Sequence, residues 1–575
     1  LLAIGIAMQY KYTVLSNTML GALMASINMN IVMITLPAIF RGLKINPFSP
    51  GEFTYLLWVL MGYSIILAAS LVTFGRISDI LGRAKMYTIG YVIFAIASTF
   101  LSIIPGGTGN LGAMLIISLR MVQAVGGGFL MVNSTAILID AFPTRERGKA
   151  LGINQVSFIV GSLLGLIVGG LLSGFDWHLV FVVNVPFAVV GAIWSRLTLR
   201  ESEINKDSHI DYLGNATFAA SLVLISVGFT YTLVPYGSSQ MGWGNPYVIA
   251  ALVAGILLFV AFIFVEGKVK SPLFNMSLFK IRQFFYGNIA LLLYSLGRGA
   301  VMFLLIIWLQ GIYLPLHGFS YSQTPFWAGI YMLPMLLGTV ALGPVGGILT
   351  DKYGARPFAT AGIAIVAVGL FLLTLLPYNF NVVQFFIITF LIGVGGGLFA
   401  SPNTTAIMNS IPSNERATAN GMRMTINNVS MTISMAMFFS VTIAIFSKFL
   451  PSAIISTAEA SGVPTQVAMY LSKIPPSGAL FGAFLGVSPV SALPSSLISG
   501  LDPYTLGIIS SAKFFPNVIG PSFTRGLGYS MYIALALSLA GTVFSALMGK
   551  RYIQEESTTQ KTKSIEENIH EGVTK

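Results

Sequence analysis

The sequence predicts an all-α polytopic membrane protein with 14 transmembrane helices, arranged as two parallel six-helix halves plus two inserted helices. Three observations lead there. Of 575 residues, 55% are hydrophobic and only 9% charged, with a mean hydropathy of +0.82, whereas a soluble domain carries about 25% charged residues. Apolar runs approaching the roughly 20 residues that a bilayer-spanning helix needs recur along nearly the whole chain. Finally, residues 125–152 align without a gap on residues 394–421, with 10 of the 28 pairs identical, among them Gly126, Gly127, Gly128, Pro143, Glu146, Arg147 and Gly152. This repeat links the loop after the fourth span to the loop after the twelfth. The offset of eight spans is even, so the halves are parallel rather than inverted.

In chain order, spans at 13–40, 54–74, 84–105, 111–140, 148–173 and 178–198 form an N-terminal six-helix bundle over residues 1–199. The first is expected to stay in the membrane, because Lys11 precedes an apolar stretch long enough to span. Spans at 211–235 and 246–266 lie in the inserted segment 200–277, which is bracketed by charged stretches. Residues 278–449 hold spans at 284–314, 324–350, 356–378, 382–410 and 416–448, and 528–549 completes the second bundle. Between these parts, 450–527 is rich in Ser, Pro, Gly and Ala. Its most apolar piece, 478–493, is short and contains Pro489, so an external loop with a surface or re-entrant element is expected. Residues 550–575 read as a solvated cytoplasmic tail.

An even number of spans puts both termini on one side. With the termini and the loops after even-numbered spans inside, the outer side keeps only Arg41, Lys44, Lys448, Lys473, Lys513 and Arg525 of the 31 Lys and Arg residues. Arg120 and Arg298 fall within spans, and Arg416 and Arg423 count with the inner loops. Both termini are therefore expected in the cytoplasm of a multi-pass plasma-membrane protein. The net charge of +12 then reports topology rather than a nucleic-acid partner.

The motifs narrow the function. Between the second and third spans the chain reads G-x-x-x-D-x-x-G-R-x-K, with Gly75, Asp79, Gly82, Arg83 and Lys85. Glycines at helix ends allow a tight reversal, and Asp79 stands four residues before Arg83, a pairing distance on a helix. A weaker copy, Gly347, Asp351, Gly354 and Arg356, follows the tenth span. Here the chain resembles the major facilitator superfamily, whose signature loop has this pattern in this place. The halves, the inserted pair and the long penultimate loop resemble its fourteen-span drug:proton antiporter branch. The resemblance implies that Asp79, Arg83, Gly75 and Gly82 act as a cytoplasmic latch during alternating access.

Arg120 and Gln123, followed by Gly126, Gly127 and Gly128, are similar to the family's second motif, whose intramembrane Arg contributes to proton coupling. In the fifth span Gly161, Gly165, Gly169 and Gly170 suit close helix packing. The family's antiporter motif has Pro after the second of these, where this chain has Leu166. Residues 27–37 read I-N-M-N-I-V-M-I-T-L-P, where the branch reads L-D-x-T-I-V-N-x-A-L-P. Asn28 thus replaces the membrane Asp, and Asn30 follows it. None of the 19 acidic residues falls at mid-span, so the usual carboxylate relay has no candidate.

Other chemistries find no residues. The chain has no Cys, its four His are scattered, and neither a phosphate-binding Gly-rich loop nor an H-E-x-x-H pattern is present. No enzyme, cofactor or metal site is expected. The expected partners of this monomer are the bilayer, a small-molecule substrate and, as a candidate, protons. The substrate and coupling cavity is expected to draw on Asn28, Asn30, Arg120, Gln123 and Arg298. Two embedded arginines without a carboxylate favour neutral or anionic substrates, with Arg120 the stronger candidate because it sits in the motif.

Overall fold

Inside a bilayer a backbone must satisfy its own polar groups, and long helices do so. The computed structural model describes residues 2–49, 51–201, 211–269, 272, 274–412 and 415–549. Among them every regular element is a helix, and 14 helices are long and apolar enough to cross a membrane. In the first half these are α1 (Tyr10–Leu43), α2 (Phe53–Leu81), α3 (Arg83–Ser102), α4 (Gly109–Ala141), α5 (Gly152–Ser173) and α6 (Leu179–Thr198). The inserted pair is α7 (Tyr212–Tyr231) and α8 (Pro246–Glu266). The second half comprises α9 (Arg282–Leu316), α10 (Thr324–Thr350), α11 (Ala355–Thr374), α12 (Val382–Asn409), α13 (Thr418–Ala460) and α14 (Phe514–Ala546). Each predicted span overlaps one of them. The predicted tail and the linker at 202–210 lie outside the described residues.

The repeat is visible as repeated packing. Each half sets its fourth helix against its third through glycines that admit backbone contact. A methyl group on Gly126 would lie 2.7 Å from the Gly90 carbonyl of α3, and one on Gly395 would lie 2.6 Å from the Gly362 carbonyl of α11. The inserted hairpin α7–α8 packs against α2 and α13, touching both halves. Thr230 Oγ1 reaches Met61 of α2, and the Thr232 hydroxyl bonds Ser440 of α13. On α8, Ile249, Val253, Ile256, Leu257 and Phe264 are exposed, as a lipid-facing helix requires.

Two predicted features change. Helix α13 continues to Ala460 and α14 begins at Phe514, so both ends of the expected 450–527 loop are helical. The connection between them carries a further helix, Pro476–Leu485, in which every residue is buried. Of the two expected alternatives, a surface or a re-entrant element, this burial rules out the first. Arg423, assigned to an inner loop, lies within α13.

The halves meet at the end opposite Asp79. Gly170 of α5 abuts the backbone of Pro325 and Phe326 in α10, and Gly329 abuts Leu166. Gln310 Nε2 of α9 donates to the Ile34 carbonyl of α1 at 3.0 Å, and Arg41 donates to the Tyr321 carbonyl at 3.1 Å. The Pro476–Leu485 helix fills the junction: Phe481 stacks on Phe53 at 5.9 Å and lies 5.5 Å from Phe439 of α13. At the Asp79 end the packing is looser. A methyl group on Gly152, Gly343 or Gly421 would meet nothing within 4 Å.

Candidate functional site

The signature loop forms a compact charged turn. Gly82 ends α2 at φ 104, a backbone that L side chains rarely adopt, and the chain reverses directly into α3. Arg83 Nε donates to Asp79 Oδ1 at 2.9 Å, and its Nη1 reaches both oxygens of Asp140, at the end of α4, at 2.9 and 2.8 Å. Glu201 accepts from the backbone nitrogens of Ala84 and Lys85 at 3.0 and 3.1 Å, placing negative charge at the N-terminus of α3. Gly75 faces α4, where a methyl group would lie 3.2 Å from Val132. The sequence places Asp79 beside Arg83; Asp140 and Glu201 are distant in the chain and come in only through the fold. In the second copy Gly354 adopts φ 88 and Arg356 is exposed, while the Asp351 side chain lies outside the described residues.

The glycines of α5 divide between two jobs. Gly161, Gly165 and Gly169 lie on α1, against Leu23, Ile27 and Ile31, whereas Gly170 faces α10 across the junction of the halves. Leu166 is fully buried at that junction. Asn30, expected in the cavity, donates to the Ser26 carbonyl at 2.9 Å and packs against Gly165.

Arg120, Gln123 and Asn28 come together, though in a closed network rather than an open cavity. Gln123 Oε1 accepts from Arg120 Nη1 at 2.9 Å and from Asn28 Nδ2 at 3.2 Å, and Gln123 Nε2 donates to Ser98 at 2.8 Å. Arg120 Nε reaches the Val59 carbonyl at 3.5 Å, and its guanidinium lies 4.3 Å from the centroid of the Tyr63 ring. Asn184 of α6 donates to Asn28 Oδ1 at 3.4 Å. Five helices of the first half thus converge on one Arg that is 1% exposed. Polar bonds and a ring face offset a burial that costs about 2.5–3.5 kcal/mol on insertion scales.

Arg298 has a different setting. It lies in α9, with its guanidinium carbon 5.9 Å from the Tyr294 ring centroid, and it is half-buried. Arg423 lies two turns inside α13, half-buried, with Asn420 Oδ1 as acceptor at 3.3 and 3.2 Å. Sequence reasoning missed Arg423, Tyr63, Ser98, Asn184 and Tyr294. A polar or amphipathic residue within an apolar run is the signal they share; it marks a candidate without naming its partner.

Comparison with known proteins agrees with this architecture. The model of the Major Facilitator Superfamily matches residues 18–265 and 213–435. The riboflavin transporter RibZ of Clostridioides difficile is 28% identical over 435 residues, covering 75% of this chain and 88% of that protein. Multidrug resistance protein 3 of Bacillus subtilis is 26% identical over 444 residues, 77% of this chain and 81% of that one. Among solved structures, a bacterial homolog of the human lysosomal transporter Spinster, inward-facing and unoccupied, superposes with a TM-score of 0.55 at 15% identity, covering 94% of this chain and 97% of its own. A D-xylose–proton symporter does so with a TM-score of 0.52 at 14% identity, over 85% and 99%. With its paired halves, repeated packing and signature turn, the chain belongs to the Major Facilitator Superfamily.

Proposed function

We propose that the protein is a secondary transporter of the plasma membrane that exports small organic or amphipathic compounds by alternating access, as a monomer with both termini in the cytoplasm. The observation that supports this reading is the direct joining of the two halves at the end opposite Asp79, with Gly152 and Gly421 open at the Asp79 end. A rocking motion would exchange those contacts for a closed Asp79 end, where the Asp79–Arg83–Asp140 turn is placed to latch. Relatives named for multidrug resistance and riboflavin transport support organic cargo.

A proton, if coupled, binds elsewhere than α1, since Asn28 has no titratable group. The acidic side chains nearest the spans, Asp140, Asp211 and Glu266, lie at helix ends. That absence favours one second reading, a facilitator of the same fold running down its substrate gradient. Flux of a dye panel in sealed vesicles, with and without an imposed pH gradient, tests both. Gradient-stimulated export supports coupled transport, equal flux either way supports the facilitator, and no flux of any dye refutes both.

A further inference from the structure

Each half sets an arginine beside a tyrosine that faces its glycine triplet, although on non-equivalent helices: Tyr63 on α2 and Arg120 on α4 in the first half, Tyr294 and Arg298 both on α9 in the second. A methyl group on Gly127, in the first glycine triplet, would meet the Tyr63 hydroxyl at 2.6 Å, and one on Gly396, its repeat partner, would meet the Tyr294 hydroxyl at 2.8 Å. Each tyrosine has an arginine beside it, Arg120 in the first half and Arg298 in the second. Arg120 is sealed by Gln123, the Val59 carbonyl and the Tyr63 ring. Arg298 makes no hydrogen bond among the described residues, and its Nε is buried without a partner. The first half satisfies its arginine within the protein, and the second half omits that provision.

Arg298 lies near the middle of the 35-residue α9. The Cβ position on Gly396 of α12 is 3.9 Å from its guanidinium carbon and equally 3.9 Å from Thr339 Oγ1 of α10. With α10 and α12 beside it, its exposed part is expected to face the interior of the molecule. A lipid-facing charge at that depth would be disfavoured. No ion pair among the described residues involves it.

Arg423 extends the basic character toward the Asp79 end. Asn427 and Ser434, on the same face of α13, bond Ser295 and the Leu296 carbonyl of α9, which registers the two helices. Arg423 therefore lies on the order of 10 Å nearer the Asp79 end than Arg298, at 1.5 Å per residue. An anion entering from that end would meet Arg423 first and Arg298 at mid-membrane.

We infer that Arg298 anchors the anionic group of the transported compound, with Arg423 guiding its approach, and that the substrate class is an organic carboxylate or sulfonate on an apolar body. This rests on the transport reading above. The planar guanidinium matches a carboxylate or sulfonate fork. Met431, at the level of Gly299 and half-buried, supplies apolar surface. Low-dielectric surroundings strengthen the attraction and disfavour lipophilic cations.

The test uses the purified full chain in lipid nanodiscs and two dyes on one xanthene ring system, anionic fluorescein and cationic rhodamine 123, read by fluorescence anisotropy. Fluorescein should bind more tightly. Arg298→Gln should weaken it at least tenfold without weakening rhodamine 123, Arg298→Lys should fall between, and Arg423→Gln should have a smaller effect. Size-exclusion profiles and melting temperatures confirm that each variant is folded. Tighter binding of rhodamine 123, fluorescein binding indifferent to Arg298→Gln, or binding of neither dye by the folded parent would each overturn the inference. Dye flux in vesicles separates the two claims. Arg298-dependent binding without flux would sink transport and spare the site, whereas flux indifferent to Arg298→Gln would sink the site and spare transport.

Discussion

Arg120 depends on Gln123 more than on any other side chain, because Gln123 bonds the guanidinium, Asn28 and Ser98 together. Gln123→Leu would leave a buried charge and two buried polar groups short of partners, at about 1.5–3 kcal/mol for the bond to the charged group alone. A clear fall in melting temperature should follow, and an unchanged one would mean that water replaces the amide. Asn28→Asp makes a different change at nearly constant volume. It puts a carboxylate one side chain away from an Arg that has none, so transport should acquire a pH dependence that the parent lacks. A pH–rate profile identical to the parent's would remove Asn28 from any coupling role. The Asp79–Arg83–Asp140 cluster is partly exposed, where such pairs contribute roughly 0–1 kcal/mol. Asp79→Ala should therefore impair transport while leaving the melting temperature nearly unchanged; full transport by this variant would reduce the motif to a topology signal.

At the scale of elements, spans were legible because hydropathy reads continuous apolar length, and all fourteen were. Hydropathy does not read where a helix stops once it leaves the apolar layer, so α13 outran its predicted end through the mixed apolar and polar residues 449–460. Nor does it distinguish a short apolar helix on a surface from one enclosed by protein: Pro476–Leu485 is enclosed because Phe53, Phe439 and Gly311 line its seat. At the site, intramembrane polar residues were legible as types, but their bonds were not. Arg120, the stronger cavity candidate, is sealed, whereas Arg298, the weaker one, lacks hydrogen-bond partners among the described residues. The enclosed helix joins the second half's α13 and α14 to the junction with the first half, so it should move when the halves part. An added Cβ on Gly478 would lie 3.5 Å from Phe48 Cα and 2.9 Å from the Pro47 carbonyl, within reach of a disulfide once the 47–48 backbone shifts to admit it. In this Cys-free chain, Phe48→Cys combined with Gly478→Cys should stop transport on oxidation and restore it on reduction. Transport that survives complete cross-linking would show that this helix travels with the first half.

For the whole molecule, the proposed alternating access would make the two ends report opposite states. Gly152 and Gly421 are repeat partners, each opening its half's gap-lining helix at the Asp79 end, and neither has anything within 4 Å of an added Cβ. Gly170 and Phe326 are in contact at the other end. In this conformation, single substitutions Gly152→Cys and Gly421→Cys should react quickly with a membrane-impermeant maleimide applied from the cytoplasmic side, and Phe326→Cys should resist it from outside. Rocking the halves closes one gap as it opens the other, so a substrate that favours the alternate state should slow the first two reactions and speed the third. The size of that shift is bounded by the difference in the substrate's affinity for the two states. The same labels fix sidedness independently of the motion. In the proposed orientation Lys85, in the signature turn, faces the cytoplasm, so Lys85→Cys should label only from within. Labelling of Lys85→Cys from outside would invert the topology. Rates at both ends that rise together with substrate would exclude a rocking exchange and leave a channel-like opening.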